Sequence, residues 1–373
     1  MIYFDNSATT RIKPTQTINN IILGVTKFSA NPGRSGHDAS LSAALAIGSV
    51  REQIRSFVGA DRAEDILFTL NCTEALNLAI LGSVKFGGHV ICTENEHNSV
   101  LRPLEQLRGL GQISVSVAKV DKDGKITASE IAKHLKRNTY LIVTNHISNV
   151  NGDFAEIEEI GRLAKAHNII FLVDGAQSAG HEKINMEKMN INMLALAGHK
   201  GLLGAQGVGV LCTRGDFDLR PIKFGGTGTN SIDLKQPNQK PEGFESGTVA
   251  TPAILSLGGG IEFVSNNFDM ISTKIKELSK YLIMGLEKID GIKVYTNKNN
   301  LYGVISFNLK NYESSQIADY LNLHHICVRS GLHCAPLKHA ALKTTQQGTI
   351  RVSFSHTNTT DEIDELLKLL KEF

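Results

Sequence analysis

Lys200 and Asp174 are the residues of this chain whose types and spacing first suggest chemistry. Lys200 follows Gly198-His199 and precedes four glycines, Gly201, Gly204, Gly207 and Gly209, with apolar residues on both sides. Glycines let a backbone approach a bulky ligand closely. A lysine in a dry pocket has its ammonium disfavoured, so its amine can serve as nucleophile and base near neutral pH. Read alone, the stretch is equally a solvated lysine in a glycine-rich loop. Upstream, however, Ile169-Ile-Phe-Leu-Val-Asp174 is a short apolar run closing on a carboxylate. That is the pattern of a buried parallel strand, and open α/β sheets bind ligands just beyond such strand ends. A carboxylate there, followed by a lysine on a glycine-rich loop, is the pair that pyridoxal 5′-phosphate requires. The aspartate keeps the pyridine nitrogen protonated so that the ring is an electron sink, and the lysine holds the aldehyde carbon as a Schiff base.

Three further stretches suit such a site. A strand at 66–70 runs into Asn71-Cys-Thr-Glu-Ala-Leu-Asn77, which opens a helix. Free N–H groups and the helix dipole would face a bound phosphate there, while Thr73 reads equally as an N-cap. A strand at 89–93 ends in Glu94-Asn-Glu-His-Asn-Ser99, carrying a lone His97. Cys334 follows the turn-rich Arg329-Ser-Gly-Leu-His333 and precedes Pro336, as on an exposed loop. A neighbouring arginine or protonated histidine would favour its thiolate. Cys92 and Cys212, in strand-like apolar runs, read as inert packing residues.

The motifs YFDNSATT (3–10), VDGAQSAGH (173–181), AGHKGLLGAQGVGVL (197–211) and RSGLHCAP (329–336) together resemble the cysteine desulfurases, members of the class V, fold-type I pyridoxal phosphate enzymes. The resemblance runs from Asp5 to about Asn358. It implies that Lys200, Asp174, Gln177, Cys72, Thr73, Asn149, His199 and His97 hold the cofactor, with His97 stacked on the ring and relaying protons. Thr248, in an FE-x-GT motif, would reach across a homodimer interface to the neighbour's cofactor phosphate. Arg351 would bind the substrate α-carboxylate as a fork, with Arg329 as accessory cation and Asn149 also contacting the substrate. Lys200, Cys334 and His97 would be catalytic. L-cysteine would become L-alanine, with its sulfur passed to Cys334 as a persulfide for an acceptor protein. RSGLHCAP matches the subgroup that carries its cysteine on a short loop; the SACxS-type motif of the long-loop subgroup is absent. Two departures stand out: Ala197 replaces a phosphate-binding serine, and Leu332 replaces a frequent histidine. Selenocysteine lyase and a class V aminotransferase or β-lyase with an incidental Cys334 are the rival enzymes. A cofactor-free scaffold would be expected to lose Lys200 or Asp174.

The elements that must position these residues follow from patterning. Alternating strands and helices predict an α/β fold with a mainly parallel, helix-covered sheet, seven-stranded if the resemblance holds, plus a small α+β unit. We expect an N-terminal segment (1–30) packed on the small domain, a large cofactor-binding domain (31–258) and a small domain (259–373) with the reactive cysteine. Helices are expected at 14–28, with Pro14 in the first turn, at 39–58 with Leu41, Leu45 and Ile54 on the apolar face, and at 261–286 after the glycine triplet Gly258–Gly260. The 31–37 loop reads either as a plain connection or as part of the site's entrance.

Composition bounds the rest. The 373 residues are 41% hydrophobic with no Trp and a net charge of +2, which speaks against nucleic acid or another polyanion as partner. No apolar run is long enough to span a membrane, and the strand-like start argues against a signal peptide. Five scattered cysteines suit a reducing cytoplasm. A zinc site from Cys327, His333 and Cys334 lacks supporting spacing, so no metal is expected.

Overall fold

The computed structural model describes residues 1–33, 35–229, 231–310 and 312–373. At its centre is a seven-stranded sheet built from β2 (Ile66–Thr69), β3 (Gly88–Thr93), β4 (Ile113–Ala118), β5 (Thr139–Asn145), β6 (Ile170–Asp174), β7 (Met193–Ala197) and β8 (Gly209–Thr213). Its spatial order is β2-β8-β7-β6-β5-β3-β4, and β8 alone runs antiparallel to its neighbours. The central strands are buried on both faces, which explains their near-continuous apolar runs. Helices α2 (Asp38–Val58), α3 (Cys72–Gly82), α4 (Asn98–Gly109) and α5 (Ile157–Ala166) contribute to the two apolar layers that sandwich it.

A second apolar cluster is built on a three-stranded antiparallel sheet of β9 (Ile292–Val294), β10 (Val304–Leu309) and β12 (Ile350–Ser353). The N-terminal β1 (Ile2–Tyr3) pairs in parallel with β11 (Ile326–Cys327), and Phe4 is buried in this cluster. Helices α7 (Ser314–Leu323), α8 (Pro336–Leu342) and α9 (Thr360–Glu372) complete the C-terminal part. The N-terminal segment also reaches the large sheet's side: in α1 (Thr15–Thr26), the Thr17 hydroxyl donates to the Leu203 carbonyl at 3.0 Å.

Three expectations change. The 261–286 helix is α6, Thr251–Leu286, interrupted only by a kink at Asn267, so Gly258–Gly260 lie inside it. They are there for close packing: a Cβ on Gly259 would stand 2.5 Å from the Gln16 carbonyl of α1, and one on Gly24 of α1 would stand 2.6 Å from Pro252 Cα. On α2 the core face is Ala43, Ile47, Val50, Ile54 and Val58, while Leu41 and Leu45 are 57% and 65% exposed. The inward stripe runs on through Val50 and Ile54 to Val58, whereas Leu41 and Leu45 are followed at helical spacing by Gly48 and Glu52. Pro14 is the N-cap of α1 rather than a residue of its first turn.

Candidate active site

The site lies where β3, β5, β6 and β7 end. Eight of the expected cofactor residues, Lys200, Asp174, Gln177, Cys72, Thr73, Asn149, His199 and His97, line one cavity of about 100 Å³. Asp174 is the last residue of β6 and is 3% exposed. Its Oδ1 accepts the Ala176 N–H at 2.9 Å and lies 3.8 Å from Cys72 Sγ, and among the described residues no ion pair neutralises it. Burial raises its pKa, with Lys200 acting the other way. Lys200 sits just past β7, and burial lowers its pKa, which Cys72 and Asp174 partly oppose. A buried carboxylate without a bonded cation is costly. It asks for a positively charged ligand atom.

One end of the cavity is formed by the start of α3, whose free N–H groups suit an anion. Asn71 is its N-cap, accepting the Glu74 N–H at 2.9 Å. Thr73 is therefore not the cap; its hydroxyl lies 2.8 Å from Ser99 Oγ. Gly209 packs directly on this turn, since a Cβ there would stand 2.5 Å from the Asn71 carbonyl and 2.6 Å from Cys72 N. His97 caps α4: its Nδ1 accepts the Ser99 N–H at 3.1 Å, which leaves its proton on Nε2. Burial, reinforced by Lys200, Arg329, Arg102 and Arg351, pulls His97 down to about 4, so it is neutral at physiological pH.

Arg351, Arg329 and Cys334 lie outside this lining but are tied to it. Arg351, on β12 and 1% exposed, donates through Nη1 to the Asn149 carbonyl at 3.0 Å and through Nη2 to Asp5 Oδ1 at 2.6 Å. Burial lowers its pKa to about 10, so it stays cationic. Arg329 Nη2 is 4.0 Å from Cys334 Sγ. His333 and Cys334 both have left-handed backbone, φ 48° and 59°, a conformation costly for residues with a side chain. Surrounding bonds impose it: Asn149 Nδ2 donates to the His333 carbonyl at 2.7 Å, Asn98 N–H donates to the Cys334 carbonyl at 2.7 Å, and His333 Nε2 lies 3.1 Å from the Thr349 carbonyl. The backbone of Cys334 is thus fixed beside the residue that follows His97.

Thr248 is not brought into the cavity of its own chain. It is exposed and lines a separate recess with Thr69, Leu70, Gly207 and Lys223. Sequence reading also passed over Ser99 and Asn145, which line the cavity, Asp5, and the buried Glu96. Glu96 Oε1 accepts from the Thr93 hydroxyl at 2.6 Å and the Asn145 N–H at 2.9 Å. The only signal for Ser99 was its place two residues past His97 at a helix start.

The donor set fits pyridoxal phosphate on the protein's own evidence. Besides Asp174, which has no bonded cation, the buried Asn149 Oδ1 and His199 Nδ1 have no partner among the described residues, and the α3 N-terminus suits an anion. Comparison with known proteins agrees. Residues 2–366 match the family model for aminotransferase class-V. A probable cysteine desulfurase of Methanothermobacter thermautotrophicus is 33% identical, the alignment covering 100% of this chain and 94% of that protein. One from Borreliella burgdorferi is 32% identical, over 100% and 91%. The apo structure of the cysteine desulfurase of Thermococcus onnurineus superimposes with a TM-score of 0.92 at 33% identity, covering 100% of this chain and 94% of that one. The chain belongs to the class-V aminotransferase family and, within it, to the cysteine desulfurases.

Proposed function

We propose that this protein converts L-cysteine to L-alanine with pyridoxal phosphate as cofactor, passing the sulfur to Cys334. The observation that carries the reading is the Cys334 thiol, 4.0 Å from Arg329 Nη2, on a loop bonded through Asn98 and Asn149 to the cavity that holds Lys200 and Asp174. Bound there, the cofactor supplies an electron sink for the bonds at the substrate's Cα and Cβ. Asp174 would keep the ring nitrogen protonated, and Lys200 would anchor the cofactor. The α3 N-terminus, Thr73 and His199 would hold its phosphate, His97 its ring face, and Asn149 and Gln177 its edge. Arg351 would take the substrate carboxylate, with Arg329 and Asn149 assisting.

Lys200, its ammonium disfavoured by burial, takes the substrate's Cα proton. The Cys334 thiolate then attacks the substrate sulfur: the S–S bond forms and the Cβ–S bond breaks. Cβ gains the electron pair and a proton, so alanine is the reduced product and the enzyme persulfide the oxidised one. An acceptor protein takes the sulfur from the loop.

We take the working unit as a homodimer in which Thr248 completes the neighbour's phosphate site. Its place outside its own cavity supports this, as do the exposed Ile18, Ile22 and Val25 of α1 and Leu41 and Leu45 of α2. Among the described residues no helix is long and apolar enough to cross a membrane. Five free cysteines favour a reducing cytoplasm. From the kink at Asn267 and the separate apolar clusters, we place the small domain in the C-terminal third. The test is turnover of L-cysteine by purified holoenzyme under a reductant. Alanine and sulfide should appear in equal amounts; pyruvate in place of alanine would favour a lyase.

A further inference from the structure

The Arg351 guanidinium is committed on two of its three nitrogens before any substrate arrives. Nη1 donates to the Asn149 carbonyl at 3.0 Å and Nη2 to Asp5 Oδ1 at 2.6 Å, while Nε is buried with no partner. Buried donors are seldom left unpaired, so Nε is the group this arginine holds in reserve. Asp5 is not placed by chance. It follows β1, which pairs with β11, and it bridges to Ser353 on the strand that carries Arg351. The Tyr3 hydroxyl donates to the Asp5 carbonyl at 3.2 Å and to the Thr9 carbonyl at 3.1 Å, closing a turn around Asp5. Ser7 N–H donates to Ser353 Oγ at 2.8 Å, and Gln177 Nε2 donates to the Ser7 carbonyl at 3.0 Å. The same strap therefore spans the arginine's strand and a cavity residue.

We infer that Asp5 is a positioning residue for substrate recognition: by fixing Nη2 it sets the plane of the Arg351 guanidinium and leaves Nε–H as a donor for the substrate carboxylate. The inference rests on Arg351 being the carboxylate anchor. A planar fork gains its specificity from orientation, and an arginine free to rotate about its last bonds would lose that advantage. A competitor reading, in which Asp5 blocks the fork, makes the opposite prediction.

The experiment uses purified holoenzyme variants Asp5→Ala, Asp5→Asn, Asp5→Glu and Arg351→Ala. L-alanine and ethylamine, which lacks the carboxylate, are titrated through the cofactor's absorbance, and kcat and KM are measured with L-cysteine. Asp5→Ala should raise KM and the L-alanine Kd about tenfold, the scale of one charge-assisted hydrogen bond. The kcat should stay within about twofold and ethylamine binding should not change. Asp5→Asn, which keeps an oxygen acceptor, should recover most of the loss. Asp5→Glu keeps the charge but displaces the carboxylate by a methylene, so it should raise KM too; this variant stands in if Asp5→Ala does not fold. Tighter or unchanged L-alanine binding in Asp5→Ala or Asp5→Glu, or an equal loss for ethylamine, overturns the proposal. If Arg351→Ala leaves L-alanine binding intact, the anchor assignment itself fails, and the role of Asp5 with it.

Discussion

Replacing Gly209 with alanine tests the proposal that the turn at the start of α3 holds the cofactor's phosphate. Gly209 opens β8, paired on one side with Thr69 and on the other with Ala197. Its Cα faces the start of α3, where a Cβ would stand 2.5 Å from the Asn71 carbonyl and 2.6 Å from Cys72 N. Ordinary contact needs about 3.4 Å or more, and every crowded atom is backbone, so no side chain can swing aside. The turn must retreat by roughly an ångström, or β8 must bend; overpacking of this kind costs ~1–3 kcal/mol. If the retreat falls on the turn, the N–H groups of α3 would leave the proposed phosphate site, and a displacement of that size should cost on the order of 10–100-fold in binding. The assay is the cofactor dissociation constant from absorbance during dialysis, with thermal unfolding of the apoprotein alongside. Gly48 is the control: a Cβ there meets nothing within 4 Å, and alanine in a helix gains about 0.5–1 kcal/mol. Cofactor retention equal to wild type in Gly209→Ala would refute the reasoning about this turn.

Two other outcomes are expected. Glu96 is held near 8, against 4.5 for an ordinary glutamate, chiefly by burial. Its folded value lies above its unfolded one, so its contribution to stability is full below about 4.5 and shrinks as pH rises through 8. Urea titrations should find Glu96→Gln gaining on wild type between pH 5 and pH 9; a constant difference would contradict a protonated Glu96. Mixing Lys200→Ala and Thr248→Ala subunits should restore one working site per heterodimer, and activity no greater than that of either variant alone would count against a shared site.

The chemistry-bearing core was readable because it is local. Asp174 ends a recognisable strand, Lys200 sits in a glycine-rich run, and each therefore announced both its type and its place. What escaped depends on convergence of distant segments. Asp5 and Arg351 are brought together by the pairing of β1 with β11, which two residues of strand at each end cannot advertise. Ser99 joins Thr73 to His97 only because the start of α3, which follows β2 at one edge of the sheet, meets the start of α4, which follows β3 far along it. The glycine triplet looked like a break, yet Gly258 admits α2, Gly259 admits α1 and Gly260 admits the backbone at Leu202–Gly204 close to α6. On α2, Leu41 and Leu45 outshone Ala43 by size, although alanine is what the sheet side accommodates. Thr248 shows the limit differently. Its motif was legible, but its own chain gives it no place in the cavity.

The most direct test of the central claim is intact-protein and peptide mass measurement after a single turnover with L-cysteine and no reductant, comparing wild type with Cys334→Ala. Cys334 Sγ lies 4.0 Å from Arg329 Nη2 and outside the lining of the cavity that holds Asp174 and Lys200, so the variant should bind cofactor and L-alanine as wild type does. Wild type should gain the mass of one sulfur atom, mapped to Cys334, with one equivalent of alanine released. The variant should gain none and release no alanine. Persulfide on another cysteine, or alanine formed by the variant at the wild-type rate, would contradict the account.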